Sequence, residues 1–296
     1  YCIILIVISA SVRAQSESTN DDLHSQLATC HRHGLDRSKP LLERIGEPSE
    51  SVLEIFRDAG MSPVAHPLND RQLQRIADAI AILPPLHQAV LQQRLRSISF
   101  VSNMPNTALT STVNPAEPYR LFDITIRAEI LEQPASEWIV EKESSCFALT
   151  DSKVRLDVDV GNITAIQYVF LHEATHVVDA IRNVTPPFRD DQDEEVLAET
   201  PFTAGIWLDR TSPVSQYQDR ELMTIRFRRG GRVLNADRAR DVYLALGKTP
   251  FVSLYGSCAS TEDLAEFVTV YHMTQKLRQP FRISVYEGAD KLVVHE

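Results

Sequence analysis

The chain has 296 residues, 43% of them hydrophobic, and a formal net charge of −10. That is enough apolar material for one large core or two modest ones. The acids are spread along the chain with no basic stripe beside them, which argues against nucleic acid as the main partner. Glycine is scarce, and no repeat or low-complexity tract occurs.

The first element is an apolar run of eleven residues from Cys2 to Val12, too short to span a bilayer comfortably. Val12-Arg13-Ala14 follows it, with permissive residues where a signal peptidase cuts, before Gln15. Residues 1–14 therefore read as a signal peptide, against the plainer reading of a buried strand. The expected location is secreted or periplasmic, with no stable membrane insertion once the signal is removed.

Export sets how the cysteines are read. Cys30, Cys146 and Cys258 remain, and no C-x-x-C occurs, so there is no zinc-ribbon or thioredoxin-like motif. An oxidising compartment permits one disulfide and leaves one thiol over. Of the three pairings, Cys146 with Cys258 is favoured, against three buried reduced thiols.

Residues 15–96 read as an N-terminal helical region. Segments near Asp22–His31, Ser51–Ala59 and Asn69–Ile82 carry apolar residues at helical spacing; Pro84-Pro85 interrupts, and Leu86–Leu95 resumes. His24, His31, His33, His66 and His87 fall here as surface or packing residues. The period then changes. Ser97–Ser102 and Leu121–Ile130 are β-like, the second alternating Phe122, Ile124 and Ile126 with Asp123, Thr125 and Arg127. Phe147–Thr150 and Val154–Val160 add short strands. Leu121–Ile130 is the expected edge strand, able to hold an extended peptide by strand addition.

Next comes a helix over Ala165–Ile181, free of Gly and Pro and capped by Asn162 or Thr164. It contains His172-Glu173-Ala174-Thr175-His176, an H-E-x-x-H pattern. Residues four apart share a helix face, so His172 and His176 can bind one metal, with Glu173 beside the open coordination position. Three fixed residues do not decide the matter, because two satisfied histidines on a buried helix would look the same; a third ligand is the test.

An excursion follows over residues 183–238, with Pro186-Pro187, an acidic run Asp190–Glu195, short strands at Phe202–Leu208 and Leu222–Phe227, and a turn at Gly230-Gly231. Helix returns over Ala236–Leu246. A last helix starts near Thr261, with Ser260 and Asp263 as a capping box. Glu262 lies in its first turn and Glu266 one turn later on the same face. Glu262 suits the third ligand, and Glu266 can accept the outer N–H of a ligating histidine. Glu195, Glu199 and Glu221 are the alternative third ligands.

The constellation resembles the gluzincin metallopeptidases, in which H-E-x-x-H is completed by a glutamate from a downstream helix. More narrowly it is similar to the catalytic domain of anthrax lethal factor and its bacterial relatives. There too a tyrosine stands seven residues before the glutamate and the ligand helix reads E-x-x-A-E, as Tyr255, Glu262, Ala265 and Glu266 do here. The H-x-V-D ending is matched by His176-Val177-Val178-Asp179. The resemblance covers two short stretches. It implies an α+β, zincin-like fold, mainly helical with a small mixed sheet beside the H-E-x-x-H helix, occupying residues 97–296 with an insertion at about 183–238.

It also implies an exported zinc-dependent peptidase acting on a protein or peptide substrate. Zinc (Zn2+) would be held by His172, His176 and Glu262, with Glu173 and Tyr255 catalytic and Glu266 and Asp179 as outer partners of the ligands. Two other readings fit the same residues: a non-catalytic zinc-stabilised binding module, and a zinc hydrolase of a cell-wall amide. Intact Glu173 and Tyr255 weigh against the first.

Overall fold

In the computed structural model, which describes residues 22–150, 152–187 and 199–293, helices and small sheets alternate in an α+β arrangement. The helices are α1 (22–32), α2 (Glu50–Asp58), α3 (Asp70–Ala81), α4 (Pro85–Arg94), α5 (Ala135–Ser144), α6 (Ala165–Arg182), α7 (Ala239–Leu246) and α8 (Ser260–Tyr271). The strands are β1 (Val64–Ala65), β2 (Leu95–Ser102), β3 (Ala108–Thr112), β4 (Phe122–Arg127), β5 (Phe147–Ala148), β6 (Val154–Asp159), β7 (Leu234–Asn235), β8 (Arg282–Glu287) and β9 (Asp290–Val293).

The largest hydrophobic cluster packs around α6. Thr164 and Gln167 close a capping box at its start, and Asn183 ends it in the left-handed conformation at φ 50°. Between those stops the helix is apolar on nearly every side, from Ala165 to Val178, and such a helix must be covered all round. Helices α3, α4, α5 and α8 supply the cover. No break in packing falls at residue 96: Leu91, Leu95 and Ile98 belong to one hydrophobic cluster with Phe170 and Leu171.

The main sheet has the order β1-β2-β4-β3, with β2 and β4 parallel and β3 antiparallel to β4. The expected edge strand is therefore an interior one. Its alternate polar residues are buried in pairs: Asp123 accepts from Arg96 Nε at 2.9 Å, and Thr125 meets Ser99 at 3.0 Å. The true edge facing α6 is β3, Ala-Leu-Thr-Ser-Thr, too short and polar for alternation to reveal it. A second sheet runs β6-β8-β9, and β5 pairs with β7 in parallel. Helix α5 and strands β8 and β9 also went unanticipated.

Other expectations change. Phe202–Leu208 and Leu222–Phe227 are not strands; they are turns and a short 3-10 helix at Leu222–Thr224, touched by isolated bridges at Trp207–Pro213 and Ile225–Arg232. Their apolar residues plug the core singly, Trp207 donating to Asp263 Oδ2 at 2.9 Å. That contact removes the Ser260–Asp263 capping box: α8 starts at Ser260 after Ala259, with no side-chain cap. Cys30, Cys146 and Cys258 are all free and buried, so the favoured Cys146–Cys258 bridge is not made. Residues 1–14 and the acidic run Asp190–Glu195 lie outside the described residues. No helix among the described residues is long and apolar enough to cross a membrane.

Candidate metal centre

His172 and His176 lie one turn apart on α6, their rings edge to face with centroids 4.9 Å apart and Nε2 atoms 3.2 Å apart. Glu173, between them in sequence, turns a carboxylate towards the same space. One donor atom from each of the three lies within 4.8 Å of the others, so this group could hold a metal ion.

Helix α8 crosses α6 and adds two more carboxylates. Glu262 Oε2 sits 3.1 Å from His172 Nε2 and 3.5 Å from His176 Nε2. One turn on, Glu266 is buried, with Oε1 3.1 Å from His172 Nδ1. The contact is short but poorly aligned, and it leaves that buried Nδ1 without a formal hydrogen bond. Glu266 Oε2 accepts from Tyr168 Oη and Ser253 Oγ, each at 2.8 Å, and Lys142 Nζ stands 3.3 Å from Oε1.

The electrostatics demand a positive charge here. Burial pulls the His172 imidazole down, but the Glu262 and Glu266 carboxylates outweigh it and hold the group up, at about 9. Burial pushes both carboxyls up, yet His176 and His172 hold Glu262 well below its usual range, and Lys142 and His172 do the same for Glu266. A cluster that captures a proton on an otherwise neutral ligand type fits a divalent cation, which would supply the charge and leave both imidazoles neutral.

Two catalytic candidates border the centre. Glu173 Oε2 accepts from Thr110 Oγ1 at 2.7 Å, tying its carboxylate to edge strand β3. Tyr255, in the turn before α8, lies with its ring 6.0 Å from that of His172. Phe227 packs edge-on against it at 5.3 Å, and Lys142 Nζ stands 3.7 Å from the ring centroid. Burial first, then the Glu262 and Glu173 carboxylates, push its phenol far above the ordinary range, so it is a neutral hydrogen-bond donor.

The centre opens into two clefts. A larger one of about 700 Å³ is bordered by His172, Glu173, His176, Tyr255, Glu262 and strand β3. A second, of about 460 Å³, shares His172, Glu173 and Tyr255 and extends towards α5.

The structure thus brings together His172, Glu173, His176, Tyr255, Glu262 and Glu266. Asp179 is buried at the far end of α6, accepting from Thr185 N at 2.7 Å and Thr185 Oγ1 at 2.6 Å, where it fixes the exit from the helix. Of the alternative third ligands, Glu221 pairs with Arg238 at 3.0 Å, Glu199 is exposed beside Pro186 and Thr203, and Glu195 lies outside the described residues. The upstream histidines stay away from the centre: His33 pairs with Glu117, His66 with Gln72, and buried His87 with Thr175 Oγ1 at 3.1 Å. Thr110, Lys142 and Ser253 were missed as ordinary residues on segments distant in sequence, and Tyr168, one turn before His172 on α6, was missed as an ordinary core aromatic. The only signal was the H-E-x-x-H helix's own need for a covering edge.

In comparisons with family models, curated proteins and solved structures, nothing matches this chain.

Proposed function

We propose that the protein is an exported zinc-dependent peptidase of zincin-like build. The observation that carries the reading is Glu262 Oε2 held against both Nε2 atoms, 3.1 Å from His172 and 3.5 Å from His176, with Glu173 tied beside them. Two imidazoles and one carboxylate are a zinc donor set that leaves a coordination position open. When bound, zinc supplies Lewis acidity and makes water easier to deprotonate.

The chain's own residues do the rest. Among the described residues strand β3 pairs with β4 on one side only, so its other edge can hydrogen-bond an extended peptide across the centre. Thr110 occupies Glu173 Oε2 and leaves Oε1 to take the proton of the attacking water. As the carbonyl becomes tetrahedral its oxygen gains charge, and the neutral Tyr255 phenol donates to it. Glu173 then gives the proton to the departing amide nitrogen. A merely structural metal site needs neither the base nor the phenol. Export is supported by the apolar run Cys2–Val12 and the Val12-Arg13-Ala14 cleavage pattern.

The test pairs metal analysis with activity. Wild type should carry about one zinc per chain and cleave a peptide library in a chelator-sensitive way, while Glu262→Ala loses the metal. Full zinc on Glu262→Ala would remove Glu262 as a ligand. Cell-wall fragments cleaved where peptides are not would redirect the substrate class.

A further inference from the structure

We propose that the cleft towards α5 recognises a carboxylate of the substrate through Arg127, with Arg226 alongside. This rests on the peptidase reading and names the chemistry its substrate must present. On a chain of net charge −10, this cleft is lined by three cations, Arg127, Lys142 and Arg226. Lys142 is already committed to Glu266 and to the Tyr255 ring. Arg127 is not committed. It closes β4 next to the edge strand, its backbone N donating to Thr107 O at 2.8 Å. Its guanidinium Nε is buried without a hydrogen-bond partner, and it enters no ion pair among the described residues.

Three other enclosed arginines behave differently. Arg44 donates to the carbonyls of Lys39, Leu91, Gln92 and Leu95; Arg96 pairs with Asp123; Arg228 donates to Leu222, Thr211 and Ser257. The terminal guanidinium nitrogens of Arg127 make no hydrogen bond or ion pair among the described residues, and a half-buried, permanently charged fork without a partner at a cleft wall can take a planar anion in bidentate fashion through them. Arg226 is exposed, with one long bond of 3.4 Å to Ser145 O, and can turn to the same anion. The cleft's one acid besides Glu173 is the exposed Glu141. In the larger cleft the cations are engaged: Arg120 donates to Ala180 O, and Arg210 has partners of its own.

A carboxylate reaches this wall from one of two sources, an Asp or Glu side chain beside the scissile bond or the substrate's own C-terminus. Matched quenched peptides carrying Glu or Gln, and Asp or Asn, at each position in turn, each with a free or amidated C-terminus, distinguish them. The readout is the ratio of kcat/KM within each pair. We expect zinc-loaded wild type to favour the acid at one position, or the free terminus, by roughly tenfold or more, the scale for leaving a buried polar group unpaired. Arg127→Gln should bring that ratio near one, and Arg127→Glu should favour Lys at the same position. If the Arg127 variants do not fold, the exposed Arg226→Gln should still lower the ratio. Equal rates within every pair, or a preference untouched by these variants, would overturn the proposal. If wild type cleaves no peptide, the peptidase reading fails on its own; anisotropy with the same peptides on Glu173→Gln then decides the recognition, supported by tighter binding of the acid and overturned by equal binding.

Discussion

Replacing Glu266 by Gln separates charge from shape at the centre. The carboxylate is buried between two hydroxyls on Oε2 and two cationic or N–H groups on Oε1. An amide fits the same space in one orientation. Its oxygen must face Lys142 and His172, and its NH2 must face Tyr168 and Ser253, whose hydroxyls can rotate to accept. Contacts survive; the negative charge does not. The loss of an anionic outer partner should weaken zinc by roughly 10–100-fold, which is about 1.4–2.7 kcal/mol. Lys142 also loses its carboxylate, and a hydrogen bond to a charged group is worth about 1.5–3 kcal/mol. At roughly 2–4 °C per kcal/mol for a chain of this order, the metal-free protein should melt about 3–12 °C lower. Titration against a competing chelator and thermal melts in excess chelator read the two effects apart. In a Lys142→Met background the melting deficit should shrink while the zinc deficit stays. Unchanged zinc affinity in Glu266→Gln would refute the reasoning and leave Glu266 as a packing acid.

Tyr255→Phe keeps the ring that Phe227 and Lys142 hold, so zinc content and melting temperature should match wild type while kcat falls by roughly 10²-fold or more; a wild-type kcat on a good substrate would remove Tyr255 from the mechanism. Thr110→Val keeps the volume on β3 but frees Glu173 Oε2, and kcat should drop about tenfold at constant zinc content, the cost of one lost charged hydrogen bond; an unaltered kcat would mean that the base needs no tether. Glu143 is buried, its carboxyl pushed up by burial to about 7 while Tyr243 Oη donates to it at 2.7 Å. A raised carboxyl stabilises the fold fully below its unfolded value and loses that contribution as pH rises through about 7. Glu143→Gln should therefore flatten the fall in melting temperature between pH 5 and 8, and parallel profiles for the two proteins would contradict this.

How much of this was legible depends on how tightly chemistry constrains spacing. A chelating pair on a helix must be four residues apart, so His172 and His176 stand out in the bare sequence, as does the capped apolar helix that carries them. Glu262 and Glu266 follow the same rule two helices later, on α8. The partners that hold these groups obey no spacing at all. Thr110, Lys142 and Ser253 reach the centre from three separate segments, Tyr168 sits on α6 itself, and any of them alone is an unremarkable residue. Strand β3 was hidden because an edge strand needs only one buried face, and four half-buried residues followed by an exposed one leave little periodicity to see. Leu121–Ile130 alternates apolar with polar residues, a pattern that does not separate an edge from an interior strand, and here Arg96 and Ser99 pair with Asp123 and Thr125.

The two misreadings on the main sheet have one physical origin, and it bears on function. Strand β4 can be interior only because β3 covers its outer side, and the same placement sets Thr110 against Glu173. The edge that would bind substrate and the tether that would aim the base are therefore a single element. A change that loosens β3, such as a proline at Leu109, whose register partner is Thr125, would be expected to weaken substrate binding and the chemical step together. The candidate metal ligands, all on α6 and α8, should survive it with full zinc affinity. On the proposed reading, the H-E-x-x-H helix and its distal glutamate would hold the metal, and the sheet edge would hold the substrate it acts on.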